Sequence, residues 1–68
     1  MCEFKLRIVV NKNNNRELIC KDAINIKWND NRIYILRENG SLMKLDDYYI
    51  TEVDAESQIV LLTPKLKL

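Results

Sequence analysis

Apolar and polar residues alternate along residues 1–10 with the period of two that is typical of a β-strand. One side carries apolar residues, namely Cys2, Phe4, Leu6, Ile8 and Val10, and the other carries Glu3, Lys5 and Arg7. Because successive side chains of a strand point to opposite faces, this segment predicts a half-buried first strand.

A second strand is predicted for residues 17–28, after a hairpin loop in the asparagine-rich residues 11–16. Its apolar residues share one parity, namely Leu18, Cys20, Ile24, Ile26 and Trp28. The sequence Lys21-Asp22-Ala23 in the middle predicts a bend or bulge. Such a bend lets one long strand serve two sheet edges, as small and strongly curved barrels require.

The remaining chain reads as short strands separated by turns. A tight turn at residues 29–31 leads into a β-branched and aromatic strand at residues 32–37. The pair Asn39-Gly40 predicts a type I′ hairpin that returns as a strand at residues 41–45. Further strands are expected at residues 50–54 and 58–62, the last with Ile59 and Leu61 on one face.

The chain end carries its own signals. Pro64 ends the last strand, since proline cannot donate to a strand ladder. Residues 65–68 alternate charge with apolar side chains, which fits either an edge strand at a subunit contact or a frayed tail. No helix of useful length is predicted, so residues 1–68 are expected to form one all-β domain. We expect a strongly bent antiparallel meander of five to six strands that closes into a small barrel.

The size of the chain favours association. With 68 residues, 47% of them hydrophobic and 31% charged, the composition is globular but the core is small. A homodimer that covers further apolar surface is therefore expected. No apolar run reaches the length of a membrane span, and no basic-then-apolar leader is seen, which favours a cytoplasmic protein without a membrane partner.

The net charge of +1 gives no overall attraction to nucleic acid or acidic membranes. Its distribution is uneven. Residues 1–37 carry eight Lys and Arg against four Asp and Glu, whereas residues 38–68 carry three against six. The two parts therefore differ in sign, which is weak support for a charged patch.

The sequence lacks residues and motifs that most enzymes use for catalysis. The chain has no histidine, and hence neither the usual general base nor the commonest metal ligand. It also has no glycine-rich phosphate loop, no CxxC pair and no nucleophile elbow. Asp46 and Asp47 are adjacent, so on a strand their carboxylates would point to opposite faces, and we interpret them as solvated turn residues. An enzyme is not expected.

The strongest chemical candidate is Cys2. A thiolate is a good ligand for late transition metals, and the neighbouring amide and amine add nitrogen donors. Two chains related by a two-fold axis would bring two Cys2 thiolates together. Nitrogen and sulfur in a flat arrangement suit Ni(II) or Cu(II), whereas a tetrahedral set suits Zn(II). The alternative is a strand-end thiol packed into the core. Cys20 is interpreted as a small buried residue, with a metal ligand or a bridge to Cys2 as lesser alternatives.

Six segments of the chain form a recognisable set, namely Met1-Cys2-Glu3, Asp22-Ala23-Ile24-Asn25-Ile26, Arg32-Ile33-Tyr34-Ile35, Asn39-Gly40, Ile50-Thr51-Glu52-Val53-Asp54 and Ile59-Val60-Leu61. In these segments the chain resembles the CooT family of small nickel-binding proteins, which act in the maturation of carbon monoxide dehydrogenase. The resemblance implies a homodimer of small Sm-like β-barrels that binds one Ni(II) per dimer through Cys2. It also implies a nickel-enzyme maturation partner.

Two other functions remain open. A small RNA-binding barrel would use basic residues for phosphates and aromatic residues for stacking. Those residues are Lys5, Arg7, Lys21, Lys27 and Arg32, with Tyr34, Tyr48 or Trp28. The nearly neutral net charge counts against this reading. A structural subunit whose only task is association is the third possibility.

Overall fold

The computed structural model describes residues 5–30 and 32–65, and these form one six-stranded sheet. The strands are β1 (Leu6–Lys12), β2 (Asn15–Asn29), β3 (Arg32–Arg37), β4 (Leu42–Asp46), β5 (Tyr48–Asp54) and β6 (Ile59–Pro64). The described residues contain no helix. The prediction of an all-β fold of five to six strands is therefore confirmed.

The strands lie in the order β4-β3-β2-β1-β6-β5. Strands β1 to β4 form an antiparallel meander, and β5 and β6 are also antiparallel to each other. The pairing of β1 with β6 is parallel, with Arg7 opposite Ile59 and Val10 opposite Leu62. The sheet is thus mixed, whereas an antiparallel one was expected.

The sheet curls, because its two edge strands are consecutive in the chain. Only Asp47 separates β4 from β5, and its φ of 64° places it in the left-handed region. A single residue bridges at most about 7 Å between the flanking Cα atoms, so the opposite edges of the sheet meet at this point. The result is a barrel-like meander.

The long strand β2 is bent in the middle, as predicted. Its first part pairs with β1 and its second part with β3. Against β1 it carries one extra residue between Cys20 and Ala23 and another between Leu18 and Cys20, and a third register shift follows Ala23 on the β3 side. These bulges let one strand belong to both hairpins.

The core lies on the concave side of the sheet. Its buried residues come from four strands and are Ile8, Val10, Cys20, Ala23, Ile33, Ile35, Val60 and Leu62. The predicted inner face of β1 is confirmed at Ile8 and Val10. In β6 the core residues are Val60 and Leu62, the parity opposite to Ile59 and Leu61.

Two of the predicted turns can be compared in detail. In the asparagine-rich loop, Asn13 and Asn14 have φ of 50° and 66°, which is the conformation that a two-residue type I′ hairpin requires. The hairpin at Asn39-Gly40 is also confirmed, but only Gly40 has a positive φ, of 90°. Its amide donates to the carbonyl of Arg37 at 2.9 Å, which indicates a type I turn followed by a left-handed glycine. The expected type I′ turn is therefore wrong at this position.

Candidate functional site

The predicted metal ligand Cys2 lies outside the described residues, as do residues 66–68 of the predicted tail. Within residues 5–30 and 32–65, no group of three or more His, Cys, Asp and Glu side chains is placed to hold a metal ion. The second thiol, Cys20, is described in full. Its surroundings decide whether it is available as a ligand.

Cys20 is buried in the core and is a free thiol. Its Sγ donates a hydrogen bond to Oδ1 of Asp22 at 3.3 Å. Burial raises the pKa of the Cys20 thiol, so the protonated form is favoured. Because metals bind the thiolate, this side chain is a poor ligand. The interpretation of Cys20 as a small buried residue is confirmed.

Asp22 sits in the bulge of β2 and connects it to the end of β3. Arg37 makes a bidentate contact with the carboxylate of Asp22: its Nε donates to Oδ1 at 3.0 Å and its Nη2 donates to Oδ2 at 3.3 Å. The Arg37 guanidinium, assisted by the Cys20 thiol, lowers the pKa of Asp22 below its usual range. The backbone amide of Glu38 also donates to the carbonyl of Asp22 at 2.9 Å.

An ion pair next to this contact joins the start of β1 to the β3–β4 turn. Nζ of Lys5 lies 2.9 Å from Oε2 of Glu38, and both side chains are partly exposed to solvent. Two of the cations near Cys20, Lys5 and Arg37, are thus paired with acids of the same chain. The arrangement serves to hold the bulge and the turn together rather than to present a reactive group.

One recess of the sheet is lined by apolar and aromatic side chains. It lies between the second part of β2 and strand β5, and it is lined by Leu6, Ile26, Trp28, Asp30, Tyr48, Tyr49, Ile50, Val53 and Val60. Trp28 is 66% exposed and Val53 is 61% exposed, which is unusual for large apolar side chains. Asp30 is the charged residue of this lining. The recess therefore favours apolar contact and disfavours phosphate.

The outer face of β2, β3 and β4 carries a different feature. Tyr34 lies opposite Lys27 on one side and Lys44 on the other, so two exposed lysines flank one aromatic ring across three strands. Arg32 lies two residues before Tyr34, and its Nε is 3.5 Å from Oδ1 of Asp46. Lys44 was not predicted from the sequence, although the alternation in β4 and the hairpin register would have placed it there.

Of the two adjacent aspartates predicted to be solvated turn residues, Asp47 lies in the connection between β4 and β5, whereas Asp46 is the last residue of β4. Asp46 ends β4 and is exposed, with Arg32 as its partner. Asp47 has a left-handed backbone, and its carbonyl accepts a hydrogen bond from the amide of Lys65 at 2.7 Å. The pair is therefore engaged in closing the sheet.

No model of a known protein family matches the chain, and no curated protein matches it. None of the described residues belongs to a helix that is long and apolar enough to cross a membrane.

Proposed function

We propose that the chain is a small dimeric nickel-binding protein of the cytoplasm, which delivers Ni(II) to a maturing nickel enzyme such as carbon monoxide dehydrogenase. The observation that carries the proposal is the thiol at Cys2, at the head of the segment that leads into β1. The resemblance to the CooT family points to the same residue. Ni(II) is the cargo here, and no catalytic step is assigned to the chain.

The surroundings of Cys20 support this choice of ligand. The chain has two cysteines, and Cys20 is held as a buried thiol by Asp22. A ligand that must be deprotonated first, inside a core, would bind metal only at a large cost. Cys2 is therefore the thiol on which the proposal depends, and one chain offers one such thiol. Two chains are needed to supply a pair of thiolates to one ion.

A nickel titration tests the proposal directly. Ni(II) added to reduced, metal-free protein should produce thiolate-to-metal charge-transfer absorption that saturates at one metal per dimer. Cys2→Ser should abolish this absorption. Cys20→Ala is the matched control, because it removes the other thiol and should leave the absorption and the stoichiometry unchanged.

The proposal is wrong if Cys2→Ser binds nickel as well as the unaltered chain does. It is also wrong if Cys20→Ala is the variant that loses binding. A parallel titration with Zn(II) asks whether the thiolates prefer a tetrahedral ion. If zinc binds more tightly than nickel, zinc rather than nickel is the cargo.

RNA binding is the second candidate, and the row Lys27, Tyr34 and Lys44 favours it. A stacking ring between two cations is the arrangement that single-stranded RNA uses on a sheet surface. Of the cations predicted from the sequence, Lys5 and Arg32 are in ion pairs with Glu38 and Asp46. Lys27 and Lys44 are therefore the better test residues.

The two candidates separate in one binding experiment with a mixed RNA pool at low salt. If RNA is bound, Lys27→Glu combined with Lys44→Glu should weaken it and should lower the slope of log affinity against log salt by about 0.7 per lost phosphate contact. Cys2→Ser should leave RNA binding unchanged. No binding at low salt would remove this candidate.

A further inference from the structure

The convex face of the sheet carries a second apolar cluster, separate from the core. It consists of Val9, Leu18, Ile59 and Leu61, and it lies where β2, β1 and β6 are neighbours. Val9 is paired with Leu18 on one side and with Leu61 on the other, so these side chains form one row across the strands. We call this row together with Ile59 the outer patch.

The outer patch is on the side of the sheet opposite to the core. Ile8 and Val10 face the core, so Val9 between them faces outward, and Leu61 does so between Val60 and Leu62. Leu61 is only 7% exposed although it does not belong to the core cluster, whereas Leu18 is 52% exposed. A recess with an apolar floor and one accessible leucine at its margin is a surface that gains from being covered.

Charges of opposite sign stand at the two ends of the outer patch. Arg16 is on β2 at one end, and Glu52 and Asp54 are on β5 at the other. Strands β1 and β6 lie between them, which corresponds to roughly 14 Å along the sheet at the usual strand spacing. Among the described residues Arg16 forms no salt bridge with these acids.

We propose that the outer patch is the interface through which two copies of this chain associate. An apolar centre with a cation at one end and acids at the other is self-complementary under a two-fold rotation. When the axis runs parallel to β1 and β6 between the two faces, β2 of one protomer lies opposite β5 of its partner. Arg16 of each protomer then meets Glu52 of the partner subunit, and the two apolar rows cover each other.

This inference rests on the dimeric state in the proposed function and names the surface that produces it. It also gives a physical role to the unequal charge of the two parts of the sequence. Arg16 belongs to the basic part and Glu52 to the acidic part, so association would pair the two parts between subunits. A nucleic acid would be attracted by one end of the outer patch and repelled by the other.

Charge reversal gives a decisive test, measured by sedimentation equilibrium on metal-free protein with chelator present. Arg16→Glu alone and Glu52→Arg alone should each weaken the homodimer at least about tenfold, because each creates two like-charge contacts per dimer. When the two variants are mixed, both contacts are restored in the heterodimer. The mixture should therefore associate with close to the affinity of the unaltered chain.

A second variant tests the apolar centre. Leu18→Glu places a carboxylate at the exposed margin of the outer patch and should make the chain monomeric at concentrations where the unaltered chain is a dimer. Leu42→Glu is the matched control, since Leu42 is a 62% exposed leucine on β4, outside the outer patch. Its dimer should be unchanged. Circular dichroism of each variant separates lost association from lost folding.

The inference is overturned if the unaltered chain is monomeric at high micromolar concentration. It is equally overturned if the dimer survives Leu18→Glu and both charge reversals. Neither result decides the metal question, because nickel binding is judged separately by Cys2→Ser. Conversely, if the unaltered chain binds no nickel, the conclusion from sedimentation still stands. Restored association in the mixed sample supports the assigned face, since only a contact between subunits can be repaired in this way.

Discussion

At the scale of single residues, Asp22 joins separate parts of the fold. Its carboxylate accepts hydrogen bonds from the Cys20 thiol and from the Arg37 guanidinium. Its backbone carbonyl accepts one from Glu38. A bulge interrupts the regular ladder, and these hydrogen bonds tie the bulge of β2 to the end of β3.

The lowered pKa of Asp22 predicts how its contribution depends on pH. The contribution is fully present above the ordinary aspartate pKa of about 4, and it is lost as pH falls through the lowered pKa of the folded state. Asp22→Asn should therefore reduce the free energy of unfolding at pH 7, and its difference from the unaltered chain should shrink below about pH 4. Urea unfolding of the variant and of the unaltered chain at pH 7 and at pH 3 measures this difference.

Asp30→Asn is the matched control for this measurement. Asp30 is an exposed turn residue with φ of 56°, a conformation that asparagine tolerates equally well. Its effect should be small at either pH. A loss of stability in Asp22→Asn that stays constant from pH 7 to pH 3 would show that the charge of Asp22 is not what stabilises the bulge.

Core packing gives a second prediction at the residue scale. Ile35 is fully buried on β3, so Ile35→Val should lower the free energy of unfolding by about 1 kcal/mol. In a domain of this size that corresponds to a fall in Tm of about 4–8 °C. Leu42→Ala, at an exposed position, should change Tm much less. Equal shifts for both variants would contradict the described core.

At the scale of elements, the sequence predicted where the strands lie, because turn residues separate them. The shared apolar face predicted for β2 is wrong, since Cys20 is buried whereas Leu18 lies on the outer face. Strand β3 matches its prediction at both ends, and β2 was predicted as one long bent strand. The face of β6 was not predicted, because Ile59, Val60, Leu61 and Leu62 are all apolar. A continuous apolar run has no period of two, so only its neighbours in the sheet decide which side faces the core.

The β3–β4 turn gives a prediction at the element scale. Gly40 has φ of 90°, and a Cβ added there would meet no atom within 4 Å. The cost of Gly40→Ala is therefore purely conformational, and we expect about 1 kcal/mol of lost stability in urea unfolding. Gly40→Asn should cost less, because asparagine tolerates a left-handed backbone better. Equal stability of Gly40→Ala and the unaltered chain would argue against this turn.

At the scale of the whole molecule, the predicted meander gave the order of β1 to β4, but the pairing of β1 with β6 lay beyond what the sequence could predict. Periodicity within a strand reports which side is buried, but it holds no information on which strands are neighbours. The parallel pairing of β1 with β6 depends on contacts between distant segments. The same limit applies to the sites. Cys2 was predicted from its residue type, its neighbouring nitrogen donors and a family resemblance, whereas the outer patch exists only once β2, β1 and β6 are brought side by side.

The single tryptophan provides a prediction for the whole molecule. Trp28 is 66% exposed and lies in the aromatic recess, away from the outer patch. Acrylamide should therefore quench its fluorescence nearly as strongly as in the urea-unfolded chain, in monomer and dimer alike. Protection of Trp28 that appears only on association would place the interface at the aromatic recess instead. Leu18→Glu, measured in the same way, supplies the monomer reference.

The parallel ladder between β1 and β6 also constrains when folding can finish during protein synthesis. A ribosome that makes the chain releases β1 first, and β1 can form its hairpin with β2 early. Its other neighbour is the last strand of the sheet to be translated. Until then the apolar side chains of β1 that await β6 are open to chaperones and to other nascent chains. The sheet can therefore be completed only after β6 has been made, and slow non-local pairing of this kind is a point of exposure to misassembly.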